Sequence, residues 1–217
     1  MAMLFVYCAG GFGKEVMDVA RRANQGRWEA IHFLDDICVE QTRSGARVFR
    51  FDAACELLRK NGGEVVIASG EPEVRADLRR KVEGAQLPLG IVIDTTVVRS
   101  DSARIGAGAI VTPLCSISSD AVLGANVAVN TMSIVGHDVV VGENTVISSM
   151  VNLGGGTRIG HNSYVGMGAM IKEGIVIGDH TIIGMGSVVY ADIPDGVIAL
   201  GNPARPMRPN DERKVFK

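Results

Sequence analysis

Ile105 to Pro194 reads IGAGAIVTPLCSISSDAVLGANVAVNTMSIVGHDVVVGENTVISSMVNLGGGTRIGHNSYVGMGAMIKEGIVIGDHTIIGMGSVVYADIP, and an apolar branched residue stands at every sixth position of it. The series runs Ile105, Val111, Ile117, Leu123, Val129, Val135 and Val141, and continues without a gap to Val189. Four residues after most of these comes a small or β-branched residue, as at Ala109, Cys115, Ala121 and Val127. A period of six fits neither a helix nor a plain strand, whose side chains repeat every ~3.6 and ~2 residues. It suits a short strand and a turn repeated around the three sides of a prism, with 18 residues to a coil and the branched residue stacked inward on its equivalent one coil away. The 90 residues from 105 to 194 then make five coils.

Charge marks this segment off from its surroundings. It holds eight Asp, Glu, Lys and Arg residues, against 38 in the other 127 positions. Upstream, Ile93 keeps the six-residue register while Arg99 falls on an inward position, so the first coil is expected to be partial and closed by the preceding domain. The expected domains are 1–92 and 93–217.

Before the repeats, strands and helices alternate. Leu4 to Cys8 reads as a strand, followed by a glycine turn, Gly10-Gly11-Phe12-Gly13, and a helix with Val16, Val19, Ala20 and Ala23 on one face. Ala30 to Leu34 is a second strand that ends in Asp35-Asp36, and Glu64 to Ala68 a third. Asp52 is placed to cap a helix that turns Leu57 and Leu58 inward and stops at Gly62. Pro72 opens another helix, with Val74, Leu78 and Val82 on its stripe. Strand, helix and strand in this order imply a small parallel, Rossmann-like sheet. A glycine turn between first strand and first helix frees backbone N–H groups at a helix N-terminus, which suits a phosphate. The acidic pair lies about where a ribose-binding carboxylate belongs. The same residues serve equally as a tight bend and a solvated loop, since the glycines do not spell G-x-G-x-x-G.

A formal charge of −2 argues against a protein built to coat nucleic acid or an anionic membrane. Cys8, Cys38, Cys55 and Cys115 form no C-x-x-C pair, which suggests buried thiols in a reducing compartment rather than a disulfide frame or a zinc cluster. The N-terminal residues lack a signal-peptide pattern, and no apolar run approaches a membrane span. A cytoplasmic location is expected.

The unbroken hexads, the N-terminal C-A-G-G-F-G-K and F-L-D-D, and the closing I-P-D-G-V-I-A-L-G-N-P-A-R-P together resemble the bacterial sugar acetyltransferases of the left-handed β-helix (hexapeptide-repeat) superfamily. That group includes N-acetyltransferases of nucleotide-linked amino sugars and sialic acid O-acetyltransferases. The resemblance implies a left-handed parallel β-helix, a homotrimer with acetyl-CoA bound between adjacent subunits, and a nucleotide-linked sugar held by the first domain. It places Gly10, Gly11, Phe12, Asp35, Asp36 and Glu71 around that substrate. Phe12 stands where these enzymes often have His, and Glu71 where an Asn is familiar.

V-G-H-D at Val135 to Asp138 resembles the family's catalytic site, in which the histidine is the general base and the following acid raises its basicity. Read from its position alone, His137 lies outside the inward positions of its hexad and is free to face a neighbour; an exposed or hydrogen-bonded corner histidine is the other reading. By the same resemblance Val146, Gly155, Met167 and Met185 line the coenzyme groove, Val146 taking the place of a second histidine; Arg205 and Arg208, after the last coil, read equally as partners for the coenzyme phosphates and as solvated tail residues. An N-acetyltransferase is the leading expectation, a sugar O-acetyltransferase the next, and a non-catalytic binding module a third. No metal is expected: His137 and His161 are 24 residues apart, which is no multiple of 18, so they do not stack within one chain.

Overall fold

The computed structural model describes residues 2–216. The first five strands and three helices are β1 (Met3–Tyr7), α1 (Gly11–Ala23), β2 (Ala30–Leu34), β3 (Thr42–Arg43), β4 (Ala46–Phe49), α2 (Phe51–Asn61), β5 (Gly63–Ile67) and α3 (Pro72–Gly84). They form one sheet in the order β3-β4-β2-β1-β5, parallel except for β3. The chain order reverses at β1, with β2 and then β4 laid down on one side of it and β5 on the other, so the carboxyl end of β1 is a topological switch point.

Several local expectations change. Helix α1 starts at Gly11, so Gly11, Phe12 and Gly13 are its first turn and only Gly10 caps it. A Cβ on Gly13 would lie 1.9 Å from the Cys8 carbonyl oxygen, so glycine is what lets helix and strand close on each other here. Asp52 is not a cap: Arg50 holds that place and Asp52 sits in the first turn, where its charge suits the helix dipole. On α3 the buried positions are Pro72, Arg75, Ala76 and Val82, while Val74 is exposed. The apolar stripe misled because a fully buried arginine replaces valine on the inner face. The β3–β4 hairpin was unread, although Ser44-Gly45 is a tight-turn signal and both residues take positive φ. Cys8 and Cys38 are half-buried, Cys55 and Cys115 buried.

From Val92 onward the chain is a parallel β-helix of two-residue strands. Each strand pairs with the one 18 residues on, as in Ala128↔Val146, Ile134↔Asn152 and Val140↔Arg158. Three faces result. Face 1 runs from Val92–Ile93 to Ile182–Ile183 and is extended by a final hairpin, Val197–Gly201 and Ala204–Pro209; face 2 runs from Val98–Arg99 to Val188–Val189; face 3 runs from Arg104–Ile105 to Val176–Ile177. The hexad residues from Val111 to Val189 are all buried in one continuous core. Each such side chain contributes about 1.5–3 kcal/mol by leaving water. Arg99 is exposed at the open end, where no earlier coil covers it.

The outer side of face 1 is not solvent. Val92, Ile110, Ala128 and Val146 pack with Leu4, Val6, Val16 and Met17 in a second core that joins the two domains. Arg75 ties the same seam. Its Nε and Nη2 donate to the Asn126 carbonyl at 2.9 and 2.6 Å, Nη2 also reaches Asn126 Oδ1 at 2.9 Å, and Nη1 serves the Ile67 and Ser69 carbonyls. Burial pulls its guanidinium down to about 9, still charged at neutral pH.

Candidate active site

The turns between faces form three ridges along the prism, and His137 stands on the ridge between faces 2 and 3. Asp138 follows it in a left-handed conformation, φ 59°, and its Oδ2 lies 2.8 Å from His137 Nδ1. A carboxylate only accepts, so Nδ1 carries the hydrogen and donates it, leaving the Nε2 lone pair free. The pair is well exposed, with 71% of the His137 side chain open.

Gly155 lies one coil beyond, directly beneath the imidazole. A Cβ there would come within 2.4 Å of His137 Nε2 and 2.5 Å of Cε1. The Gly156 N–H donates to the His137 carbonyl at 2.8 Å and holds the two turns in register. Glycine at 155 is therefore the floor on which the ring rests.

Met167 and Met185 are 18 residues apart on a different ridge, between faces 1 and 2, where the Gly186 N–H donates to the Met167 carbonyl. Both are exposed, Met185 at 80%. The whole width of face 2 separates them from His137 within one chain. Val146 departs from expectation: it is 1% exposed, on the side of face 1 that the first domain covers, so its side chain is a packing residue of the seam. Arg205 and Arg208 lie exposed on the last strand of the final hairpin.

In the first domain an open pocket of about 510 Å³ lies at the carboxyl ends of β1 and β2, lined by Cys8, Gly10, Asp35, Ile37, Val39 and Arg43. Ile37 and Val39 are almost fully exposed, giving it apolar lips. Asp35 Oδ2 accepts the Ala9 N–H at 2.7 Å, and Oδ1 accepts those of Ile37 and Cys38. Burial works against its charge, but the three N–H donors outweigh it and hold the carboxyl below the usual range. Asp36 turns to the opposite face of the sheet, where it binds Tyr7 Oη, Lys81 Nζ and the Phe51 N–H. It thus lies away from the pocket that Asp35 lines, because neighbouring residues beyond a strand point to opposite sides. Burial, then the Asp35 charge, push the Cys8 thiol up to about 12, so it stays protonated.

Phe12 is half-buried at the start of α1, against the inter-domain core. Glu71, at the carboxyl end of β5, is bound by this chain's own residues: Oε2 accepts the Val215 N–H at 2.9 Å and Oε1 that of Phe216 at 2.6 Å. Its carboxylate is already satisfied there.

Comparison with known proteins agrees with this architecture. Residues 3–82 match the family model described as the PglD N-terminal domain, and residues 156–191 that of the bacterial transferase hexapeptide (six repeats). The acetyltransferase domain of PglB from Neisseria gonorrhoeae, solved with acetyl coenzyme A, is 32% identical, with a TM-score of 0.89 over 94% of this chain and 98% of that one. The chain belongs to the sugar acetyltransferases of the hexapeptide β-helix superfamily. WeeI from Acinetobacter baumannii is 31% identical with a TM-score of 0.88, covering 95% of this chain and all of that one. PerB from Caulobacter crescentus, solved with CoA and GDP-perosamine, is 29% identical with a TM-score of 0.87 over 95% and 98%. A search of curated proteins returned no match.

Two residues of this acetyltransferase escaped sequence reading. Arg43 reaches the rim of the Asp35 pocket from the unread hairpin and donates to the Ala9 carbonyl at 2.6 Å. Arg75 was hidden among helix-surface charges, and only the packing of α3 on Asn126 singles it out. The S-G turn was the available signal for the first; the second had none.

Proposed function

We propose that this protein transfers the acetyl group of acetyl-CoA to the amine of a nucleotide-linked amino sugar, with His137 as general base. The observation that carries the reading is the His137–Asp138 pair on its Gly155 floor. His137 Nε2 takes the proton that the amine loses as it attacks the thioester carbonyl, and can return it to the departing thiolate. Asp138 favours the imidazolium formed in between and keeps Nε2 outward. An N-acetyl product is favoured over an O-acetyl one because PglB and PerB, similar over nearly their whole length, were solved with acetyl coenzyme A and with GDP-perosamine.

The working unit is a homotrimer in this reading. Face 2 and its ridge expose Val98, Leu114, Met132, Ile134, Met150 and Met170, each at 44% or more, a concentration of bare apolar side chains that suits an interface. Packing face 2 against a second copy brings the Met167–Met185 ridge of one subunit towards the His137 ridge of the next, which would enclose the coenzyme arm. In the first domain the Asp35 pocket takes the base and ribose, and the N-terminus of α1 takes the diphosphate.

The direct test is release of CoA thiol from acetyl-CoA when amino sugars linked to UDP, dTDP or GDP are offered. Turnover with at least one is expected, and acetate release without an acceptor product would overturn the reading. Ile134→Glu should give folded monomers with little activity; full activity in a monomer would remove the shared site.

A further inference from the structure

The segment from Asn210 to Phe216 crosses back from the end of the β-helix to the first domain and is tied down along its length. The Asn210 N–H donates to the Gly196 carbonyl at 2.7 Å and Asn210 Nδ2 to the His180 carbonyl at 2.8 Å. Arg213 Nη1 lies 3.9 Å from Glu73 Oε1 on α3. Glu71 then takes the Val215 and Phe216 N–H groups, one on each carboxylate oxygen. Two consecutive backbone donors on one carboxylate fix both the position and the direction of the strap.

This grip places one aromatic ring. Phe216 stacks over Gly70, where a Cβ would meet its ring at 3.3 Å, and stands edge-on to Tyr164 with centroids 5.7 Å apart. It remains 55% exposed. Ser69-Gly70-Glu71 is the loop after β5, the strand next to β1, and therefore the second lip of the switch-point crevice. A nucleotide whose ribose meets Asp35 on the β2 side and whose diphosphate meets the α1 N-terminus continues across β1, so its sugar comes out on the β5 side.

We propose that residues 210–216 form the outer wall of the crevice on its sugar side, with Glu71 as the positioning residue that seats the wall and Phe216 as the residue that meets the acceptor sugar. The inference rests on the nucleotide-linked sugar reading above. A half-exposed aromatic ring offers an apolar face, so it selects a pyranose that presents its C–H-rich side there over one bristling with hydroxyls. The strap also explains why a carboxylate is tolerated beside a diphosphate site: two N–H donors already bind its charge.

Phe216→Ala, Phe216→Tyr and Glu71→Ala in the full chain test this by steady-state kinetics and calorimetry. Phe216→Ala and Glu71→Ala should raise KM for the amino-sugar nucleotide about tenfold, the loss of one aromatic contact. The kcat and the KM for acetyl-CoA should stay within about twofold, and Phe216→Tyr should restore the acceptor KM. Affinity for UDP, dTDP or GDP alone should be unchanged, since base and diphosphate sit across β1. Hydrogen exchange should show the Val215 and Phe216 amides unprotected in Glu71→Ala. An unchanged or lowered acceptor KM overturns the wall. So does an equal loss of affinity for the bare nucleotide, or amide protection that survives Glu71→Ala. If the wild-type protein acetylates no amino-sugar nucleotide, the proposed function fails by itself. The wall is then judged by calorimetry, on whether Phe216→Ala weakens the amino-sugar nucleotide but not the nucleoside diphosphate; binding of neither to the wild type overturns it as well.

Discussion

The β-helix and the first domain are held together by different arithmetic. In the β-helix, up to its last coil, a residue's neighbour is the one 18 positions away, so Val135 stacks on Leu153 and His137 rests on Gly155 for the same reason. In the first domain and at its seam the decisive contacts join residues with no fixed interval, such as Asp36 with Tyr7 and Lys81, and Arg75 with Asn126 across the seam. A repeat places its chemistry through adjacent coils, whereas an α/β domain places it through the whole packed sheet. The first kind of site should tolerate distant change and fail on local change.

The sharpest test of that contrast is His137→Ala, which should lower kcat by about 10² to 10⁴, the usual worth of a general base, with acetyl-CoA affinity retained. Asp138→Asn should cost less, because the base remains and only its support for the imidazolium is lost. A variant lacking His137 that keeps most of its turnover would place the base elsewhere.

Gly155→Ala should come next. The new methyl displaces an exposed ring rather than backbone, so thermal stability should hardly change, while kcat falls by up to about 10²-fold through misplacement of the base by roughly 1 Å. Loss of stability in step with activity would break the idea that one coil simply floors the next.

For the other kind of region, Arg75→Met removes donors from the Ile67, Ser69 and Asn126 carbonyls in a buried seam. Stranding buried acceptors costs about 1–3 kcal/mol each, less what relaxation recovers, so about 3 kcal/mol overall is expected. Trp28, the single tryptophan, is buried in the seam's core, and its fluorescence in urea should report the loss before the circular dichroism of the β-helix does. Coincident, unshifted transitions would show that Arg75 does not hold the domains together.

The smallest effect expected is acid sensitivity. Asp35, Asp36 and Asp94 are each held below the usual carboxylate range: burial opposes their charge, and hydrogen bonds from backbone N–H groups, Lys81, Thr96 and Arg22 outweigh it. All three lie in the first domain or at its seam. A carboxyl depressed in the folded state lends stability that is complete above its unfolded value, near ~3.9, and is lost as pH falls through the folded value. Trp28 fluorescence should therefore change below about pH 4 while β-helix dichroism persists, and simultaneous loss of both would erase the contrast.

The sequence alone determined the prism, its five uninterrupted coils and the outward placement of His137 and Asp138, because a stacked repeat writes each contact into a fixed spacing. It also showed the β1–Gly10–α1 unit and the acid after β2, since turn chemistry and strand ends are local. Only the tertiary structure decided that Asp36 serves the far side of the sheet, that Val146 lies beneath the first domain, and that Glu71 grips the Val215–Phe216 backbone across 144 and 145 residues. Those outcomes depend on which face of one element meets which face of another. No single-chain period encodes that, because burial against a separate domain is settled by shape and by the pairing of polar groups at the seam.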